Sequence, residues 1–291
     1  MQVISLLFHD VYAEDPRESG FSSEAADRYK LVLRDFDGQL AGLARARADS
    51  PSLIADVIGG LPFDFAQGTR STCRGVKASG YRVPYVVTVD DGGVSYYTLI
   101  ADRLEARGWR GHCFVTTDAI GTRGFLTAAQ IRELDARGHI IGTHSASHPA
   151  RFSTCAVDHL RDEWSRSRHV LEDIVGHEVE TGSVPGGYYS RRVAATARDA
   201  GLRVLFTSEP TTTAHDEHGL YVVGRFTLRR LHAPDAAARL VQPAPWTRYR
   251  EWASWNAKGL IKPLLGPVYA RAADWFLRGR ARPRWAQTSL R

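Results

Sequence analysis

Short apolar runs alternate with helical patterns along the middle of the chain, from about residue 85 to residue 207. The runs favour β-strands, and the segments between them carry apolar side chains three or four positions apart, as amphipathic helices do. The predicted strands are Tyr85–Val89, His112–Thr117, His139–Thr143, Val179–Val184 and Leu202–Thr207. The predicted helices are Ser95–Arg107, Thr127–Arg137, Val157–Val175 and Arg191–Ala200. This alternation predicts an α/β fold with a parallel sheet closed into a (β/α) barrel.

Further elements are predicted on both sides of this region. They are the strand Val3–Tyr12, the helix Ser23–Ala48, the strand Leu220–Leu228 and the short helix Asp235–Val241. Residues 59–80 are polar, rich in glycine and without a period, so we interpret them as a loop or insertion. Residues 209–219 are rich in turn-forming residues and are predicted to be a loop.

Composition divides the chain into two regions. Residues 1–241 are predicted to form one catalytic barrel, since barrels of about 200–250 residues fold as single domains. Residues 242–291 form a basic C-terminal extension with five tryptophans, which we interpret as one or two amphipathic helices. A basic and aromatic segment suits a membrane headgroup region, and the alternatives are packing of the tryptophans and a solvated basic face.

The overall composition narrows the class of protein. The formal net charge is +6, but no module that reads nucleic acid is recognisable, so we expect no nucleic-acid partner. Three cysteines at no metal-like spacing do not indicate a disulfide framework, and Cys113 lies in an apolar run typical of a buried thiol. The N-terminus lacks a secretory signal pattern, and no apolar run is long enough for a spanning helix. We therefore expect a cytoplasmic protein that contacts the inner membrane face through its extension.

The segment VVTVDDGG contains the strongest local signal for chemistry. Its β-run ends in Asp90 and Asp91, and the C-terminal end of a barrel strand presents reacting groups to a cleft. Adjacent carboxylates point in different directions there, so one can bind a cation while the other moves a proton. An Asp-Gly turn or a helix N-cap is the alternative interpretation.

About fifty residues later, another predicted strand ends in IIGTHSASHPARF, which places His144 and His148 four positions apart. This spacing brings two imidazoles within reach of one ion, and Asp91 completes a two-histidine, one-carboxylate set. Zn²⁺ is the divalent metal that we favour, and Co²⁺, Fe²⁺, Mn²⁺ or Ni²⁺ would also accept these ligands. A bound metal polarises a carbonyl and activates water, which leaves Asp90 as the general base. The implied reaction is hydrolysis of an amide or ester.

The segments TVDDGG, THSASH and SVPGGYYS, in this order, resemble the first three motifs of the polysaccharide deacetylase family, carbohydrate esterase family 4. The resemblance extends over roughly residues 3–240. It implies a distorted (β/α)7 barrel and a substrate that carries an N-acetylated sugar. It also implies that the third motif binds substrate, through Pro185, Gly186, Gly187 and Tyr188.

The chain departs from the family pattern at the residues that serve the base and the acid. The third motif usually opens with an arginine that orients the catalytic aspartate, and Ser183 stands there instead. We predict that Arg225 replaces that arginine. The family's late histidine motif, which supplies the general acid, is not evident after residue 207, where His232 is a weak candidate.

The segment LLFHDV at Leu6–Val11 resembles the late histidine motif moved to the N-terminus, as in circularly permuted family members. The first and last strands of a closed barrel are neighbours, so we predict that His9 is the general acid. The alternative is a histidine that is hydrogen-bonded to Asp10 for structural reasons.

These inferences favour a metal-dependent N-deacetylase that acts on an amino sugar in a polysaccharide, an oligosaccharide or a lipid-linked glycan, such as an intermediate of exopolysaccharide biosynthesis. Two alternatives remain. One is a deformylase or another amide hydrolase on the same scaffold, and the other is a carbohydrate-binding protein with impaired catalysis.

Overall fold

The computed structural model of the chain describes residues 1–59, 63–64, 69–70, 82–243 and 246–257. Two compact units are distinguished, Met1–Arg248 and Tyr249–Arg291. Of the predicted loop 59–80, the described part is Gly59 and two short antiparallel strands, and the rest lies outside the described residues.

A twisted, mostly parallel sheet forms the first unit. Its strands and those of two small accessory sheets are β1 Ile4–Phe8, β2 Val11–Tyr12, β3 Leu31–Val32, β4 Phe63–Asp64, β5 Thr69–Arg70, β6 Tyr85–Val89, β7 His112–Val115, β8 Ile140–Thr143, β9 Thr181–Ser183, β10 Val204–Phe206, β11 His215–Glu217, β12 Leu220–Val223 and β13 Phe226–Thr227. The order in the main sheet is β11-β12-β10-β9-β8-β7-β6-β1-β13, and only the β11–β12 pair within it is antiparallel among the described residues.

Helices connect most of these strands and cover the outside of the sheet. They are α1 Glu24–Asp27, α2 Leu33–Ala46, α3 Ile54–Gly59, α4 Ala101–Glu105, α5 Ala128–Ala136, α6 Val157–Val175, α7 Arg191–Asp199 and α8 Ala236–Val241. A π-helical turn, Tyr96–Ile100, leads directly into α4. Side chains at alternate strand positions, such as Leu6, Phe8 and Val87, pack beneath these helices in the main core.

Chain continuity between β12 and β13 closes the sheet. β12 pairs with β10, and three residues later β13 pairs with β1, so one extended segment joins both ends of the sheet. The segment changes neighbours at Gly224 and Arg225, where the Arg225 amide donates to the carbonyl of Glu209. The predicted distorted (β/α)7 barrel is confirmed, and the distortion lies at this change of neighbours.

Several predicted elements coincide with the observed ones. β6 and α6 have the predicted bounds. Thr127 caps α5 through a capping box with Gln130, and Gly176 ends α6 in the left-handed conformation, with φ 82°. Cys113 is a free, buried thiol.

The single helix predicted over Ser23–Ala48 is wrong. The chain there forms α1, then β3, then α2. β3 pairs with β2, and the Leu31 amide donates to the Asp10 carbonyl. The buried Lys30 ammonium donates to the carbonyls of Pro16 and Ser19. These long-range hydrogen bonds outweigh the local helical pattern.

The loop predicted over 209–219 also differs, because β11 forms within it and pairs antiparallel with β12. Its end nearer β10 reaches back to the start of the chain, where the Val3 amide donates to the carbonyl of Thr212. This contact strengthens the join between the two ends of the sheet.

The inside of the barrel is filled with aromatic and aliphatic side chains. Phe114, Phe206, Val86 and Val223 are buried together there. The Arg225 guanidinium lies above them, with its Cζ 5.8 Å from the ring centroids of both phenylalanines. The interior is therefore a packed floor, and the cleft above it opens at the C-terminal ends of the strands.

In the second unit, the described residues 249–257 are helical. Tyr249, Trp252 and Trp255 are exposed there, and the rings of Tyr249 and Trp252 stack at 5.8 Å. Among the described residues of the whole chain, none of the helices combines the length and the apolar character that crossing a bilayer requires. The remainder of the predicted extension, residues 258–291, lies outside the described residues.

Candidate metal and catalytic centre

Four parallel strands present polar residues at the same end of the barrel. His9 follows β1, Asp90 and Asp91 follow β6, His144 follows β8, and Ser183 ends β9. Because parallel strands share one carboxyl edge, residues separated by up to 174 positions in sequence meet in one cleft.

Asp91, His144 and His148 form a candidate metal site. Their nearest ligand atoms all lie within 4.8 Å of one another. Asp91 Oδ1 is 3.4 Å from His144 Nε2 and 3.8 Å from His148 Nε2. Atoms bound to one tetrahedral ion at about 2.0–2.2 Å are separated by roughly 3.3–3.6 Å. The spacing therefore fits a single ion held by these three side chains.

The hydrogen bond of the other His144 nitrogen favours the tautomer that a metal requires. His144 Nδ1 lies 3.0 Å from the Ser183 carbonyl oxygen. A carbonyl only accepts, so Nδ1 carries the proton and Nε2 keeps its lone pair on the side of Asp91. The imidazole is thus oriented for binding by the protein itself.

Backbone conformation at this site is unusual. Asp91, Ser145 and His148 have positive φ angles of 79°, 65° and 55°. Residues with side chains rarely adopt this region, and such strain concentrates at functional sites. The i, i+4 spacing of the two histidines is therefore realised in a strained loop and not in a helical turn.

A buried glutamate on α6 holds this histidine loop. Glu163 is 1% exposed, and its Oε2 accepts hydrogen bonds from the amides of Ala146 (3.0 Å) and Ser147 (2.9 Å). Its Oε1 accepts from the Ser147 hydroxyl at 2.6 Å. Burial raises the pKa of Glu163, but these hydrogen bonds lower that pKa by more, so it lies below its usual value. The carboxylate therefore stays ionised and accepts the backbone N–H groups of the turn between the two histidines.

We expect Glu163→Met to weaken Co²⁺ binding by about 10–100-fold, since residues that support metal ligands typically have effects of this size. The substitution removes the acceptor of two loop amides while keeping the side-chain volume. Glu163→Gln should retain most of the affinity, because its carbonyl oxygen still accepts from those amides. Calorimetric titration of the purified variants with Co²⁺ measures both. Equal affinities in the two variants would contradict the role assigned to this side chain.

Asp90 is fixed by Arg225 and Ser183. Arg225 Nη1 and Nη2 donate to the two Asp90 oxygens at 2.7 and 2.8 Å, and the Ser183 hydroxyl lies 3.0 Å from both. Arg225 is fully buried, and it also donates to the Thr207 carbonyl and to Ser183 Oγ, each at 2.8 Å. The structure thus places Arg225 and Ser183 together at the Asp90 carboxylate.

These neighbours keep both aspartates ionised. Burial raises the pKa of Asp90, but Arg225 and His144 lower that pKa by more, so it lies below its usual range. Burial raises the pKa of Asp91, but the neighbouring imidazoles of His144 and His9 lower that pKa by more, so it too lies below its usual range. Asp90 is ionised and is not one of the three candidate metal ligands. Its carboxylate is therefore able to accept a proton.

His9 lies in the same cleft. Burial lowers its pKa, while Asp91 and Asp90 act in the opposite direction, so both carboxylates are close enough to influence it. Its ring lies 4.9 Å from that of Tyr29, and its Nδ1 is buried without a hydrogen-bond partner in the described structure.

Asp10 does not hold His9. Its Oδ1 accepts from the hydroxyls of Ser19 (2.6 Å) and Ser95 (2.9 Å) on the other side of the strand, and burial raises its pKa to about 6. Asp10 ties β1 to the segment that follows Asp91.

The loop after β9 carries the predicted substrate-binding residues. Pro185 is buried, and Tyr188 is 42% exposed. Gly186 and Gly187 have positive φ angles of 59° and 69°, and a Cβ at Gly187 would lie 2.6 Å from that of Ser208. Glycine is therefore required for the close approach of this loop to the end of β10.

Three other histidines lie in different environments. His112 Nε2 accepts from the Ile54 amide, and its Nδ1 bonds the Val87 carbonyl, at the opposite end of the barrel. His139 bonds Tyr96 and Glu105 at that end too. His232 lies in the turn that follows β13 and is partly exposed.

Sequence reasoning missed Glu163 and Phe21. Glu163 lies on the buried face of α6 between Leu160 and Trp164, so an acidic residue on an apolar face was the available signal. The ring of Phe21 lies 5.0 Å from that of His148 and covers one side of the site. Phe21 belongs to an irregular segment, and its sequence gave no signal.

A family model described as polysaccharide deacetylase matches residues 80–205 of the chain, which include the three candidate metal ligands and Asp90. The resemblance to the polysaccharide deacetylase family is confirmed.

Curated relatives include YxkH of Bacillus subtilis, which carries the provisional name of a polysaccharide deacetylase and is 24% identical over 140 residues. The match covers 48% of this chain and 50% of that relative. An uncharacterised 30.6 kDa protein of Geobacillus stearothermophilus is 31% identical over 127 residues, covering 42% of this chain and 45% of its own. The chain thus spans about half the length of the curated relatives it matches.

Solved structures of deacetylases share the fold. The deacetylase PplD of Streptococcus pyogenes, determined in complex with acetate, superposes with a TM-score of 0.64 at 17% identity, covering 84% of this chain and 99% of its own. IcaB of Ammonifex degensii superposes with a TM-score of 0.60 at 20% identity, covering 85% and 97%. At these identities the likeness concerns the fold, and it extends well beyond residues 80–205.

Proposed function

We propose that this chain is a metal-dependent hydrolase that removes an N-acetyl group from an amino sugar in a polysaccharide, oligosaccharide or lipid-linked glycan. The observation that carries the proposal is that an ionised Asp90 lies beside the three-residue candidate metal site and is not one of its three ligands. The family match supports deacetylation as the reaction.

Asp91, His144 and His148 would hold the ion, for which we favour Zn²⁺. When bound, the metal supplies a Lewis acid that polarises the acyl carbonyl and lowers the pKa of water. The fit rests on the ligand spacing and on the orientation of His144 by the Ser183 carbonyl.

Asp90 acts as the general base and takes a proton from the attacking water. Arg225 and Ser183 fix its carboxylate through several hydrogen bonds, so the base is held in one orientation before substrate binds. Arg225 is thus a positioning residue.

His9 acts as the general acid and gives a proton to the leaving amine, whose departure from the tetrahedral carbon otherwise requires an unstable anion. Its support is its position in the cleft, within electrostatic reach of both aspartates. The loop Pro185–Tyr188 borders the cleft and would contact the sugar, with the exposed Tyr188 ring available for stacking.

Acetate release tests the proposal. The purified protein is stripped of metal, reloaded with Zn²⁺ or Co²⁺ and incubated with N-acetylglucosamine-containing substrates. We expect acetate to form only after reloading. Formate release from N-formylated analogues in place of acetate would support the deformylase alternative. Sugar binding without turnover of either would support a binding protein with impaired catalysis, an alternative that the intact Asp90–Arg225 pair disfavours.

We expect His9→Gln to lower kcat by about 10²–10⁴-fold while Co²⁺ affinity changes little, because a general acid contributes to proton transfer and not to metal binding. Aryl acetate esters, whose leaving groups need no proton, should lose much less activity. His112→Gln is unsuitable as a control because it is buried, so the exposed His169→Gln serves instead. Equal losses on amide and aryl ester substrates would contradict the role of His9.

The C-terminal extension is proposed to contact a membrane surface peripherally. The exposed Trp252 and Trp255 in helix 246–257, together with the basic composition of the extension, support this. A glycolipid substrate would then be reached at the membrane.

A further inference from the structure

Arg229 lies next to His9 at the mouth of the cleft. β1 and β13 are parallel neighbours in which Leu7 pairs with Thr227. Continuing this register by two residues on each strand places Arg229 beside His9. The Leu228 amide donates to the Leu7 carbonyl at 2.8 Å, so the pairing continues beyond the end of β13.

Side-chain alternation directs Arg229 toward the cleft. Phe226 and Leu228 are buried in the core between the sheet and its helices. Arg225, on the other face of the same segment, contacts Asp90 inside the barrel. Successive residues of an extended chain alternate between faces. Arg229 therefore lies on the same face as Arg225, four residues further along the chain toward the mouth of the cleft.

Tyr29 connects Arg229 with His9. Its ring lies 4.9 Å from the His9 ring, and the Arg229 Cζ lies 5.4 Å from the Tyr29 ring centroid. Both the guanidinium and the proposed acid therefore contact the same aromatic ring. All three side chains are partly exposed, as expected for residues that line an opening.

Among the described residues, no carboxylate pairs with Arg229. Arg225 is bound to Asp90, but in the part of the chain that the structure describes Arg229 makes no ion pair. Its Nε is buried without an acceptor. A cation that is fixed beside a reacting group and lacks a protein anion is suited to an anion of the substrate.

We propose that Arg229 and Tyr29 form a subsite for a phosphate group, so that the substrate is an amino sugar carrying a phosphate ester. The inference rests on the proposed function and specifies its substrate class. The planar guanidinium matches phosphate oxygens with two N–H donors, and the tyrosine ring beneath it holds the guanidinium in place. A phosphate of this kind occurs in both nucleotide-linked and prenyl-linked sugars.

Steady-state kinetics on three substrates test the subsite. They are UDP-N-acetylglucosamine, N-acetylglucosamine linked through pyrophosphate to a short prenyl chain, and neutral N-acetylchitotetraose. We expect the wild-type enzyme to favour a phosphate-bearing substrate. Arg229→Gln should lower kcat/KM on that substrate by about tenfold or more, mainly through KM, and change the neutral one by less than about twofold. The phosphate-bearing substrate with the higher kcat/KM identifies the source of the phosphate.

Arg230→Gln is the matched control. Arg230 is the next residue, is exposed, and lies over Tyr12 and not Tyr29. It should behave like the wild type on all three substrates. Equal losses in Arg229→Gln on neutral and phosphorylated substrates, or no loss at all, would overturn the subsite.

A binding measurement separates the subsite from the proposed reaction. Glucosamine 1-phosphate should bind the wild-type protein in calorimetry, glucosamine should bind far more weakly, and Arg229→Gln should remove the difference. If the enzyme releases no acetate from any substrate, the proposed function fails, while this titration still decides whether the phosphate subsite exists. Equal binding of the two sugars by the wild type counts against it.

Discussion

Replacing Asp91 by alanine is expected to abolish metal binding and acetate release together. Asp91 Oδ1 lies within 3.8 Å of Nε2 of both histidines, so its loss removes the oxygen ligand of the candidate site. Supporting residues around metal sites change affinity by about 10–100-fold, and a direct ligand should exceed the upper end of that range. Elemental analysis of the purified variant and acetate release measure the two effects.

Asp102→Ala is a suitable control for this experiment. Asp102 is an exposed carboxylate on α4 that pairs with Arg137, away from the cleft. It should keep both metal and activity. If Asp91→Ala retained stoichiometric metal or normal turnover, the three-residue site would not be the catalytic centre.

Arg225→Met is expected to lower the free energy of unfolding by about 3–5 kcal/mol, the typical result of removing one partner of a buried ion pair. Asp90 is 3% exposed and would be left as an uncompensated charge. Because Arg225 holds the pKa of Asp90 down, its removal raises that pKa. Urea unfolding at pH 7 measures the loss of stability, and kcat should fall because the base is no longer oriented.

The double variant Asp90→Asn/Arg225→Met separates charge from packing. It should recover part of the stability lost in Arg225→Met, since no ionised carboxylate remains buried. Arg239→Met is a surface control, because its pair with Asp235 is solvent-exposed and should contribute less than about 1 kcal/mol. If the double variant were as unstable as Arg225→Met, lost packing would explain the effect and the ion pair would not.

The metal site illustrates what a pattern of residues can predict. Asp91 and His144 are predicted as ligands because each follows a predicted strand and parallel strands place their ends together, and His148 is predicted from its spacing of four residues after His144. The structure brings their ligand atoms within 4.8 Å. The conformation of the histidine loop did not follow from spacing, because it depends on Glu163, which reaches the loop from α6.

Residues 23–48 show the converse. Their local pattern is helical, but hydrogen bonds from Lys30 and Leu31 to the segment 10–19 break the helix. Those partners are set by the position of β2 beside β3, which no short window of sequence contains. The break also brings the ring of Tyr29 to that of His9. Because a single helix was predicted over this segment, the contact of Tyr29 with the cleft was not predicted.

The period of apolar residues predicts the barrel, and the chemistry of Asp and His predicts the candidate metal ligands, because both are local properties of the sequence. The surroundings of Asp90 and His9 depend instead on the tertiary structure. Arg225 reaches Asp90, and His9 reaches the cleft, because one segment pairs with β10 and then with β1 and so closes the sheet. Closure is a long-range event, so no short window of sequence around Asp90 or His9 contains the residues that contact them in the structure.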